Sequence, residues 1–87
     1  MPDKHDNFLD LAVKSTSGIF TDRYNKHQRA QKVFDDAISY FGLSSSGTYI
    51  LKREADGRDL DLGEKLEDLG LSDGDVLVLQ ANQAQDG

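Results

Sequence analysis

The chain has 87 residues, no cysteine and a net charge of −6. That length holds one domain with one core, able to fold alone by burying about 60–65% of the surface its unfolded chain exposes. Without cysteine, disulfides, thiolate zinc sites, iron–sulfur clusters and cysteine nucleophiles are all excluded, and the acidic balance argues against a general nucleic-acid binder, which needs a basic footprint. No apolar run approaches the roughly 18 residues of a membrane span. Residues 1–7 are polar after Met1 and Pro2 and lack the apolar stretch of a signal peptide, so a cytoplasmic protein is expected.

Residues 1–7 read as a disordered lead-in. Phe8 to Ser15 then alternates as a strand, with Leu9, Leu11 and Val13 on one face and Phe8, Asp10, Ala12 and Lys14 on the other. Thr16-Ser17-Gly18 supplies turn chemistry, and Ile19 to Tyr24 resumes with β-branched and aromatic residues, which predicts a hairpin with Phe20 and Tyr24 inward.

Asn25 looks like a helix N-cap, with Gln28 placed to cap reciprocally. From Lys26 the apolar residues Ala30, Val33, Phe34, Ala37, Ile38 and Phe41 predict an amphipathic helix of about four turns, closed by Gly42 in the left-handed C-cap position. Residues 23–32 carry Arg23, Lys26, Arg29 and Lys32 with no acid, while more than half of the acids fall in residues 54–75. Basic residues in the first half of a helix oppose its dipole, which makes this cluster a secondary candidate for a binding patch.

Leu43 is expected to fold back on the helix end, and Ser44-Ser45-Ser46-Gly47 is a loop. Residues 48–54 read as a third strand, Ala55-Asp56-Gly57-Arg58 as a tight hairpin turn, and residues 59–61 as a short fourth strand. Leu66, Leu69 and Leu71 then anchor one turn, Ser72-Asp73-Gly74-Asp75 breaks the chain, and Val76-Leu77-Val78-Leu79 begins a final strand that runs to about Ala81. Residues 82–87 form a flexible tail. One helix cannot cover two sheet faces, so one face packs on it and the other meets solvent or a partner. The apolar first and last strands should lie side by side at the sheet centre, in an α+β roll.

This order resembles the β-grasp fold of ubiquitin-like proteins, a mixed sheet of four to five strands wrapped on one helix. The resemblance is most specific in Leu60-Asp61-Leu62 and in the run from Leu66 through Asp73-Gly74-Asp75 to Leu79. It looks most like bacterial ubiquitin-like modifiers encoded beside conjugation enzymes. The resemblance implies a non-enzymatic protein activated at a C-terminal glycine, here Gly87, with an adenylating enzyme, a transfer enzyme, a processing or deconjugating peptidase and a substrate protein as partners. It implies a chain that is monomeric alone. The usual pair of glycines is absent, because Gln85 and Asp86 precede Gly87. That departure leaves open a non-conjugated interaction module; a sulfur carrier with a C-terminal thiocarboxylate ranks third, because such carriers usually end in two glycines.

Strand parity places Val76 and Val78 outward with Phe8, Ala12 and Ile50, and five apolar side chains on a wet face would form a partner-binding patch. His5 and His27 are expected at the surface. The Asp56–Asp59 and Asp73–Asp75 clusters lack the spacing of a calcium loop, and Ser44–Ser46 has no base at readable spacing. No cofactor, metal, membrane or nucleic-acid partner is expected.

Overall fold

A computed structural model describes residues 7–43 and 49–81 of the chain. Five strands and one helix follow in the order β1 (Phe8–Ser15), β2 (Gly18–Asn25), α1 (Ala30–Phe41), β3 (Tyr49–Arg53), β4 (Arg58–Asp59) and β5 (Val76–Ala81). They form a single sheet in the spatial order β2-β1-β5-β3-β4. β1 and β5 run parallel, and every other pairing is antiparallel. This is the β-grasp arrangement, with the first and last strands side by side at the centre as their apolar sequences require.

The period-two pattern of β1 sets the inner face. Leu9, Leu11 and Val13 are buried, and the hairpin register sets Tyr24 opposite Leu9 and Phe20 opposite Val13. Both aromatics therefore turn inward, Tyr24 fully and Phe20 in part. Leu77 and Leu79 of β5 and Leu51 of β3 complete the sheet's share of the core, and Val33, Ala37 and Ile38 of α1 cover it. Leu66, Leu69 and Leu71 close the open end, each burial favoured by about 1.5–3 kcal/mol. Gly42 ends α1 at φ 68°, a left-handed conformation natural to glycine, and the N–H groups of Gly42 and Leu43 both donate to the Ile38 carbonyl. Leu43 folds back against the core as expected.

The helix begins four residues later than its sequence signals. Arg29, not Asn25, is the N-cap, and it makes no side-chain capping bond. The Asn25–Gln28 pair does form, but as a turn ahead of the helix: Gln28 Oε1 accepts from the Asn25 N–H at 2.9 Å, and Asn25 Oδ1 from the His27 N–H at 2.8 Å. The first-turn donors of α1 are satisfied from far along the chain. The Ala30 N–H donates to the Glu64 carbonyl and the Gln31 N–H to that of Leu62. In return, the N–H groups of Leu66 and Glu67 donate to the carbonyls of Gln28 and Lys26. A long-range backbone seam replaces the local cap.

Candidate functional site: the outward sheet face

The sheet face opposite α1 carries the even-numbered residues of β1, β3 and β5 and the odd-numbered residues of β2. Register sets Ala12 beside Val76, and Lys14 and Lys52 on either side of Val78, while Ile50 faces Gln80. Ala12, Ile50, Val76 and Val78 are each half-buried and form an apolar stripe along the centre of the sheet.

Phe8 stands apart from that stripe. It is outward and 44% exposed, but Asp10 lies between it and Ala12, and β5 pairs β1 only from Ala12 onward. Phe8 instead lines an open groove of about 380 Å³ together with Leu9, Lys26, Glu67 and Leu71–Asp73. The five expected patch residues thus divide into a stripe of four and one outlier.

Charge crosses this face between strands. Lys14 Nζ and Glu54 Oε2 meet at 2.7 Å, Arg23 Nε and Asp10 Oδ1 at 2.9 Å, and Lys52 Nζ and Asp59 Oδ1 at 3.6 Å. Because β5 separates β1 from β3, the Lys14–Glu54 pair spans the outward side of β5 where Val76 and Val78 lie. The Asp10 carboxylate, first through its hydrogen bond and then through its charge, raises the Arg23 guanidinium above its ordinary value. Sequence reasoning did not find these pairs. Their one signal is opposite charge at positions the sheet brings to one face, as far as 40 residues apart in Lys14 and Glu54.

The basic cluster is dispersed. Arg23 pairs with Asp10, Lys32 Nζ reaches Asp36 Oδ1 at 3.2 Å, Lys26 lines the groove beside Phe8, and Arg29 forms an isolated bridge with Lys65. His27 Nδ1 lies 3.0 Å from Glu67 Oε2 at the surface. The two aspartate clusters form turns: Asp56 Oδ1 accepts from the Arg58 N–H and Asp75 Oδ2 from that of Ser72, while Asp73 Oδ1 takes the Asp10 N–H of β1 and ties the second turn to that strand. Among the described residues, no group of three or more metal-ligating side chains converges, and no helix is long and apolar enough to cross a membrane. Gly87 and the tail 82–87, His5 and the lead-in, and Ser44–Ser46 lie outside the described residues.

Inside the sheet, the Tyr24 hydroxyl donates to Asp36 Oδ2 at 2.9 Å. Burial, then the hydrogen bond to Asp36, pushes the Tyr24 phenol well above its ordinary value.

No family model and no curated protein sequence matches the chain. Its similarity is to solved structures. Ubiquitin of Caldiarchaeum subterraneum superposes with a TM-score of 0.74 at 22% identity, over 91% of this chain and 99% of that one. A protein designed de novo on ubiquitin gives 0.75 at 17% identity, over 93% and 96%. A structure described as molecular mimicry of SUMO that promotes DNA repair gives 0.72 at 15%, over 84% and 90%. At these identities the likeness establishes the ubiquitin-like β-grasp fold.

Proposed function

We propose that this chain is a ubiquitin-like protein modifier of the bacterial kind, activated at Gly87 and joined to substrates by partner enzymes that dock on the outward sheet face. The observation that carries this reading is the double use of β5. The strand that sets Val76 and Val78 on the outward face ends at Ala81, six residues before Gly87 in the sequence, so docking surface and reactive end belong to one short stretch of chain. The likeness to an archaeal ubiquitin supports the same reading. In the proposed chemistry a partner enzyme lets the Gly87 carboxylate attack the α-phosphate of ATP, giving an acyl adenylate as pyrophosphate leaves, and a partner thiol can convert this to a thioester with release of AMP. A substrate amine then attacks the carbonyl, the adenylate or thiolate leaves with its bonding electrons, and the amine proton passes to a base. Glycine suits that end because it has no side chain to obstruct attack.

The test is mass spectrometry of the N-terminally tagged chain recovered from its own host. Adducts joined through Gly87 are expected; they should vanish on deletion of Gly87 and decline for Val78→Lys, a folded variant with a charged outward face. Recovery of unmodified chain alone would identify an interaction module instead. A terminal thiocarboxylate, with one oxygen replaced by sulfur, would identify a sulfur carrier.

A further inference from the structure

β2 is an edge strand, and its free side is closed over one half and open over the other. The Lys26 N–H donates to the Asn7 carbonyl at 2.9 Å, and the hairpin closes on the Ser15–Gly18 pair. This phase turns the backbone groups of Gly18, Phe20, Asp22 and Tyr24 towards β1 and those of Ile19, Thr21, Arg23 and Asn25 outward. Asp22 Oδ1 takes the outward N–H of Arg23 at 2.8 Å, and Gln28 Oε1 takes that of Asn25 at 2.9 Å. Among the described residues, nothing takes those of Ile19 and Thr21.

The open half is also the most apolar stretch of the edge. Ile19 is 57% exposed and Tyr40 62% exposed. The Phe20 ring packs on Tyr40 at 4.9 Å and on Phe41 at 6.5 Å. Unpaired strand edges are templates for another strand, and here two free donors flank an aromatic residue.

We propose that a second copy of this chain pairs on this half-edge, β2 against β2, antiparallel about a two-fold axis at Phe20. In that register Ile19 faces the partner's Thr21, Thr21 faces the partner's Ile19, and each pair exchanges both of its N–H···O bonds. Phe20 faces the partner's Phe20 on the helix side, flanked by the two Tyr40 rings. Asp22 faces the partner's Gly18, so no like charges oppose.

The neighbouring registers fail on chemistry. Centring the axis on Thr21 demands the Arg23 N–H that Asp22 already holds, and sets Phe20 against a carboxylate. Centring it on Asp22 places two carboxylates directly opposite, which is repulsive. Centring it on Ile19 demands the Ser17 N–H that Ser15 Oγ already holds at 2.9 Å, so the free donors select one self-complementary contact, as an isologous interface requires. A net charge of −6 on each copy opposes association at long range, so the contact is weak and strengthened by salt. The proposal departs from the lone monomer expected from the sequence and takes the chain as a monomer–dimer equilibrium. A two-fold axis normal to the sheet keeps both outward faces on one side, so a dimer presents two docking stripes together. The inference stands independently of Gly87.

Sedimentation equilibrium of the full chain at raised salt, over a concentration series, tests it. The apparent mass should rise from one chain to two, and Thr21→Pro should hold it at one. Proline there removes an outward donor, leaves the β1 ladder intact and is tolerated on an edge strand; far-UV circular dichroism checks that the variant folds. Amide exchange on the unmodified chain gives an answer without any variant. The Ile19 and Thr21 amides should slow with rising concentration, while those of Arg23 and Asn25 stay constant. A single-chain mass throughout would overturn the proposal, as would a doubling that leaves the Ile19 and Thr21 amides exchanging at the dilute rate.

Discussion

Lys14 on β1 and Glu54, the residue just past β3, join their charges across β5, at 2.7 Å, over the two valines of the apolar stripe. A partner that docks on Val76 and Val78 must displace or incorporate that pair. Both side chains are more than 40% exposed, so solvent screens the attraction, and a pair of this kind contributes about 0–1 kcal/mol. A double-mutant cycle of Lys14→Ala and Glu54→Ala, read by urea unfolding, should give a coupling below about 1 kcal/mol that shrinks further in high salt. A larger, salt-insensitive coupling would mean that the pair holds the sheet together rather than merely crossing it.

Leu66 is fully buried, and its N–H donates to the Gln28 carbonyl just ahead of α1. Leu66→Ala removes the side chain that anchors the late turn under the helix. The expected loss is about 2–5 kcal/mol from transfer and cavity together, measured as a lower urea midpoint. Set against a typical total of about 5–15 kcal/mol, this single change should rank among the most damaging in the chain.

Tyr24 links stability to alkaline pH. Its folded phenol holds its proton above the ordinary value of 10.0, first because of burial and then because of Asp36. Below that ordinary value both folded and unfolded chains are protonated, and the contribution is fully present. As pH rises past about 10 the unfolded chain gives up the proton and the folded chain keeps it, so stability falls, by up to about 1.4 kcal/mol per pH unit. Tyr24→Phe should cost about 0.5–1.5 kcal/mol at neutral pH and flatten this alkaline limb. An unaltered limb in the variant would assign it to other groups.

Much of this architecture is legible residue by residue. Alternation in residues 8–15 sets the inner and outer faces of β1, and the 3.6-residue spacing from Ala30 to Phe41 marks the buried side of the helix. Gly42 marks where that helix stops, and three leucines mark the anchored turn, because each signal is local and repeats with the geometry of its own element. The start of α1 is not legible in the same way. Asn25 and Gln28 carry the chemistry of a capping box, yet the chain bends there and the helix waits for Ala30, whose donor is satisfied by a carbonyl 34 residues later. The stripe is half legible. Parity assigns Ala12, Ile50, Val76 and Val78 to one face, but whether Phe8 joins them depends on where β5 begins against β1, a register that no local pattern encodes. The ion pairs across the strands escape for the same reason.

The seam between residues 26–31 and 62–67 also bears on how the molecule comes apart. A helix with its own cap can fray and re-form by itself, whereas α1 borrows its first-turn acceptors from Leu62 and Glu64. Opening at the helix start and release of the leucine turn are therefore one event, a single cooperative unit in the sense of partial unfolding. During synthesis α1 leaves the ribosome well before the segment that completes it, so its first turn matures only when the last third of the chain arrives.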